Sequence, residues 1–343
     1  MTTAATAQYA PHFYAIAGPL GCGKGVDMAR ALCGAMFVEA GAPGQLGDTS
    51  LPAWQTSHIQ IQVAHGIADD LGKLVPWCES AEGSELIKRA GALVVTDATL
   101  AIEDSVTDWR RSAESASNKY YAFNQRDLMV KALRAVGRHL GVLVVCLFHV
   151  EMPRRVDGIV VEEGRLAVGS NKPEASNDIS ASADCTWIYE DWPDGPDPWW
   201  SKRYRCDPAD QSFRGKDRND VLGVLNLCAP ANFREYLRAV NGAVLPRPVG
   251  QEWQEDLAER VAAAMESPDL KIREIVKVAQ GFANGRDPYH VRWAIQDGIA
   301  RHGYRHLRGI FDLDDLPTRG ASAAGAPPPP PAPSAKPPPP KAP

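Results

Sequence analysis

The sequence predicts an α/β fold built on a mostly parallel sheet, on three observations. Four short runs are almost wholly apolar instead of alternating: FYAIA (Phe13–Ala17), AMFVE (Ala35–Glu39), GALVVT (Gly91–Thr96) and VLVVCLF (Val142–Phe148). Strands covered on both faces have this character. Helical stretches separate the runs: Val26–Cys33 follows the first, and Tyr121–Leu140 precedes the last. In the latter, Met129, Leu133, Val136 and Leu140 are spaced four, three and four apart, as on one face of a helix. Finally, the composition is that of a soluble globular chain. Its 343 residues are 44% hydrophobic and 23% charged, with a net charge of −5. Strands alternating with crossover helices give a parallel sheet.

Beyond Glu151 the pattern changes. Arg165–Val168 and Thr186–Tyr189 read as strands, and Ser201–Cys206 as another after the turn-rich DWPDGPDPWW. The last two strands form a hairpin. Trp187, Trp192, Trp199 and Trp200 crowd it, which points to packing. Gln251–Leu316 is helical in pattern, in three segments. From Ala321 to Pro343, 11 of 23 residues are proline, a composition that builds no core and predicts a disordered, polyproline-rich tail with a possible role in recruiting a partner. The expected units are a core over 1–245, a helical region over 250–316 and the tail over 317–343.

Several classes are excluded. The longest near-continuous apolar run, Gly141–Val150, has ten residues, about half of what a membrane-spanning helix needs. The first residues lack the basic start and apolar stretch of a secretory signal. Seven cysteines, an odd number with no CxxC, fit free thiols in a reducing cytoplasm rather than disulfides or a zinc ribbon.

The strongest local signal is AIAGPLGCGKG. Gly18, Gly23 and Lys24 match G-x-x-x-x-G-K, after a predicted strand and before a predicted helix. Glycines at 18, 21, 23 and 25 let the backbone wrap a phosphate, with amides from Gly21 through Cys22, Gly23, Lys24, Gly25 and Val26 turned inward. The helix N-terminus adds partial positive charge, and Lys24 reaches the outer phosphates. ATP with Mg²⁺ is the expected ligand; a glycine-rich turn without nucleotide is the alternative. Gly25 stands where the full motif has the metal-binding Ser or Thr. Asp27 or a water is a conceivable substitute.

Carboxylates at strand ends supply the remaining chemistry. Asp97, directly after GALVVT, is the candidate Mg²⁺ ligand. Glu39, closing AMFVE, is the candidate for orienting the attacking water. His149, closing VLVVCLF, is placed to sense an outer phosphate. Each has a plainer alternative, as a helix cap, a loop carboxylate or a satisfied strand-end histidine.

Over roughly Phe13 to Leu245 this order of features resembles the RecA-like P-loop ATPases. The similarity is greatest to the phage-type RecA-like recombination and annealing ATPases, and more distant to DnaB-type hexameric helicases. It rests on GPLGCGKG, Glu39, LVVTDATL, VLVVCLFHVEM, GSNKPEASNDISASADCTWIYE and the hairpin strand RYRCDP before GKDRND. The resemblance implies a RecA-like P-loop NTPase core with a C-terminal β-hairpin and a small helical appendage. It also implies that Lys216 and Arg218 reach the nucleotide of an adjacent subunit as a cationic finger, in a ring or filament. Thr96-Asp97-Ala98-Thr99 departs from the family's Asp-Ser pair.

For nucleic acid, two surfaces enter. Lys271–Ile310 carries eight Lys/Arg against three Asp/Glu, with Arg292, Arg301, Arg305, Arg308, His302 and His306 interleaved with Tyr289, Trp293 and Tyr304. Such a surface suits single-stranded DNA, unless it is a solvated helix face over core aromatics. The resemblance instead implies loops at the sheet's C-terminal edge: Pro153–Asp157, with Arg154 and Arg155, and Gly169–Asp178, with Lys172. The leading expectation is a DNA-acting ATPase. The alternatives are a nucleotide-binding switch with little turnover, suggested by Gly25, and a nucleoside monophosphate kinase, suggested by Gly after Lys24.

Overall fold

The computed structural model describes residues 13–19, 21–32, 35–39, 62–64, 71–96, 98–99, 121–151, 154–156, 159–162, 165–166, 179, 182–192, 202–208, 215–219, 221–222, 228–242, 244, 247, 250–266 and 272–310. Among them, the first strands are β1 (Phe13–Gly18), β2 (Met36–Glu39), β3 (Gln62–Ala64), β4 (Ala92–Thr96) and β5 (Leu143–Glu151). A small excursion follows, with β6 (Arg154–Val156), β7 (Ile159–Glu162) and β8 (Arg165–Leu166). Then come β9 (Cys185–Asp191), β10 (Lys202–Arg205), β11 (Lys216–Asp217) and β12 (Cys228–Pro230). The main sheet runs β12-β10-β9-β1-β5-β4-β2-β3. From β9 to β3 every neighbour is parallel; β10 and β12 add antiparallel strands at one edge.

The apolar runs alternate faces inside the sheet. Phe13, Ala15 and Ala17 of β1, with Val144, Cys146 and Phe148 of β5, join one buried cluster. Tyr14 and Ile16, with Leu143, Val145 and Leu147, join the other. The first face is covered by α2 (Leu71–Glu79), α3 (Ala81–Ala90) and α4 (Tyr121–Leu140), through Leu74, Ile87 and Leu133. The second is covered by α1 (Lys24–Ala31) and α5 (Phe233–Asn241), through Met28, Phe233 and Tyr236. Burial on both faces explains why the strands read as continuous apolar runs.

The hairpin forms as expected, with Tyr189 opposite Tyr204 in β9 and β10. Trp187 is fully buried among Tyr14, Tyr204, Phe233 and Tyr236, so it packs. Trp199 and Trp200 lie outside the described residues. Three helices follow: α6 (Trp253–Met265), α7 (Ile272–Ala283) and α8 (Pro288–Ile310). The last is shared. Its Ile295 and Ile299 pack with α6 and α7, whereas Ala300 and Tyr304 complete the second face of the sheet. No described helix is long and apolar enough to cross a membrane. The six described cysteines are free thiols.

One boundary differs from the sequence. The first helix begins at Lys24, two residues before Val26, because Gly23 supplies the left-handed turn that starts it. Of the Arg165–Val168 strand, the described part is Arg165–Leu166, antiparallel to the end of β5. The proline-rich tail lies outside the described residues.

Candidate functional site

The loop between β1 and α1 is built by its glycines. Gly21 and Gly23 have φ of 71° and 97°, a backbone that side chains resist. Gly18 is small for another reason: a Cβ there would meet the Tyr189 carbonyl oxygen of β9 at 2.5 Å. No side chain caps the start of α1, whose first amides therefore depend on the loop or on an anion. These are the features a phosphate cradle requires, and the described residues fit one.

Lys24 lies back across the loop and is almost wholly buried. Its Nζ donates to the carbonyls of Gly18 (3.3 Å) and Pro19 (3.1 Å) and lies 3.3 Å from His149 Nδ1. An ammonium has only donors, so in this contact the Nδ1 atom of His149 is the acceptor. Parallel register sets Gly18 directly beside His149. The His149 amide donates to Thr99 Oγ1 at 2.9 Å, tying the segment after β4 to the end of β5. The structure thus brings Lys24, Gly18 and His149 together.

The other candidates are placed differently. Glu39 ends β2, opposite Thr96. Two strands, β4 and β5, intervene between it and β1, a lateral backbone separation of roughly 14 Å. Asp97 lies outside the described residues. Among the described residues no group of three His, Cys, Asp or Glu stands ready for a metal.

Asp27 is a correction. It does not face the loop as a substitute for the missing hydroxyl. It is buried toward the sheet, where its Oδ2 accepts from the Tyr204 hydroxyl and from the Phe233 amide. Burial raises its carboxyl to about 6, with Arg30 and the two hydrogen bonds pulling the other way.

Lys216 and Arg218 sit at the opposite edge of the sheet. β11 pairs Lys216 with Thr186 at the start of β9, level with the start of β1. Lys216 Nζ donates to the Ala183 carbonyl (2.7 Å), and Arg218 Nη1 to Asp184 Oδ1 (2.6 Å). Arg134 shares that carboxylate at 3.2 Å, and the Phe13 amide takes its other oxygen. Burial lowers the pKa of Lys216, and Asp184 opposes the shift. Five residues of β1 separate this cluster from the loop, roughly 17 Å along the strand. Within one subunit the two cations do not reach the loop. Arg218 keeps its side chain 58% exposed.

Part of the basic surface expected over 271–310 is taken up inside the fold, while Arg292 and Tyr289 stay exposed. Arg301 is buried against Glu235, Glu255 and Glu259, and Arg305 binds Glu259. Tyr304 is core, and Trp293 packs on Arg30. Arg154 and Arg155 fall in the β6–β7 ribbon, which leaves the sheet just after His149. Lys172 lies outside the described residues.

Sequence reasoning did not find Tyr189, Thr99, Asp184 or Arg134. Only pairing across distant strands brings them to these sites, and no local spacing signals it.

The chain matches no protein-family model and no curated protein. Among solved structures it is similar to one described as a DnaB-like replicative helicase and its interactions with primase. The identity is 12%, over 60% of this chain and 52% of that one, with a TM-score of 0.37. The likeness spans about half of that protein's length, and at this score it decides neither family nor activity.

Proposed function

We propose that the chain binds ATP on the Gly18–Val26 loop and hydrolyses it as a RecA-like, homo-oligomeric ATPase acting on DNA. The observation that carries this reading is Lys24 lying against the Gly18 and Pro19 carbonyls and His149 Nδ1, in a loop whose glycines permit a phosphate cradle. Loop amides and the start of α1 hold the phosphates. Lys24 exchanges its carbonyl partners for the outer phosphates, and His149 registers that exchange at the end of β5. The β6–β7 ribbon continues from the same strand, which supports a DNA contact at this edge, single-stranded DNA being the expected form. Asp97 would be the residue to hold Mg²⁺ beside the nucleotide, and Glu39 would be the carboxylate for the attacking water.

Lys216 and Arg218 serve the nucleotide of a neighbouring subunit in a ring or filament, since their own loop lies at the far edge of the sheet. Replacing Arg218 with Ala is expected to leave ATP binding intact and to lower turnover on the order of 10³-fold. Turnover at the wild-type rate removes this role. Gly25 favours a second reading, a nucleotide switch with little turnover, because Asp27 does not replace the absent hydroxyl.

The test measures ATP binding and hydrolysis with Mg²⁺, with and without single-stranded DNA, for the wild type and Lys24→Ala. DNA-stimulated hydrolysis that is lost with Lys24 supports the proposal. Tight binding without turnover selects the switch. ATP affinity unchanged in Lys24→Ala overturns both.

A further inference from the structure

We propose that His302 and His306 form a binding site for a borderline divalent cation, of the zinc, nickel or copper class, beside the C-terminal end of α6. The two residues stand one turn apart on α8, so their side chains share a face. Their rings lie 6.5 Å apart, with planes 10° from parallel. His302 is half-buried and His306 exposed, so a hydrated ion has access to both. Neither ring is hydrogen-bonded or ion-paired among the described residues. Such a pair at i and i+4 is the spacing by which one helix presents two imidazoles to one metal.

Charged groups flank the pair. On α8, Arg305 is the neighbouring cation; from the end of α6, Glu266 supplies a carboxylate, 4.0 Å from Arg305. Burial, then the charge of His306, then Arg305, lower the pKa of His302, and Glu266 opposes them. Imidazole suits zinc, nickel and copper, and metal binding requires it deprotonated. With two protein ligands, water fills the remaining positions.

The test uses the full chain, titrated with Ni²⁺ or Zn²⁺ by calorimetry at pH 7.5 and 5.5. The variants are His302→Gln, His306→Gln and the double substitution. The expected result is one cation fewer per chain in each single variant at pH 7.5, with no further loss in the double. Wild type at pH 5.5 loses the same cation. Melting temperatures without metal stay equal, and added cation raises that of the wild type alone. Equal stoichiometry in wild type and variants, or no binding by the wild type, overturns the site. ATP plays no part in this measurement, so its outcome is independent of the reading above.

Discussion

At the scale of single residues, Asp27 shows how a polar side chain can mislead. In the sequence it sits three positions after Lys24 and looks available to a metal. In the fold, the face of α1 that meets the sheet carries Asp27 together with Met28 and Ala31. Burial holds its carboxyl at about 6, above the ordinary 3.8. A raised carboxyl favours the fold while it is protonated. That contribution is complete below pH 3.8 and is lost as pH rises through 6, a difference of about 3 kcal/mol. Asn in its place still accepts from Tyr204 and Phe233 but never ionises. Asp27→Asn is therefore expected to exceed the wild type in stability at pH 8, with the gap closing toward pH 4. Urea midpoints at the two pH values measure this, and a wild type that is the more stable at pH 8 refutes it. Lys24 and His149, in contrast, were legible, since each stands at the end of a strand that apolar patterning locates.

At the scale of elements, the β1–α1 turn makes two different demands on glycine. Gly21 has open space around it, but its φ of 71° strains any other residue. Gly18 is crowded by the Tyr189 carbonyl, so Gly18→Ala has to push β9 from β1. We expect Gly18→Ala to cost about 1–3 kcal/mol by overpacking and to weaken ATP binding as well. Gly21→Ala should cost less, about 1–2 kcal/mol. Thermal melts and nucleotide titration of both variants check this, and an unaffected Gly18→Ala contradicts the close approach. The sequence announces Gly18 only as part of a motif, since the crowding comes from a strand about 170 residues away. The ends of α3 were readable in principle. Ser80 caps it by accepting from the Gly83 amide, and Gly91 closes it at φ 74°.

For the whole molecule, the distribution of charge explains why the 271–310 segment looked like a nucleic-acid surface. Its cations outnumber its own acids, but Arg301 and Arg305 find their partners elsewhere. Glu235 lies on α5, and Glu255 and Glu259 on α6. Burial alone would raise Glu255, yet Arg234, Arg247 and Arg238 hold it at about 2. Counting charge along a segment cannot see such pairing. The same contacts bind α8 to the sheet, where Tyr304 donates to the Pro230 carbonyl at 2.8 Å. Removing residues 321–343 is expected to leave the melting temperature and nucleotide binding unchanged. Ending the chain at residue 286 strips a covering layer from Tyr236 and Pro230, and is expected to give an unstable or aggregating core. Circular dichroism melts of the two truncations decide this, and a core that melts normally without α8 would make the helical region dispensable.

The helix α1 has one further consequence. Eight residues make a rod about 12 Å long. One end closes the glycine-rich loop. Near the other, Arg30 bonds to Gln296 and Asp297 and lies over the Trp293 ring of α8. The two regions, separated by more than 250 residues in the chain, are thus joined through one short helix, and a shift of its first turn is expected to reach the Arg30 contacts on α8.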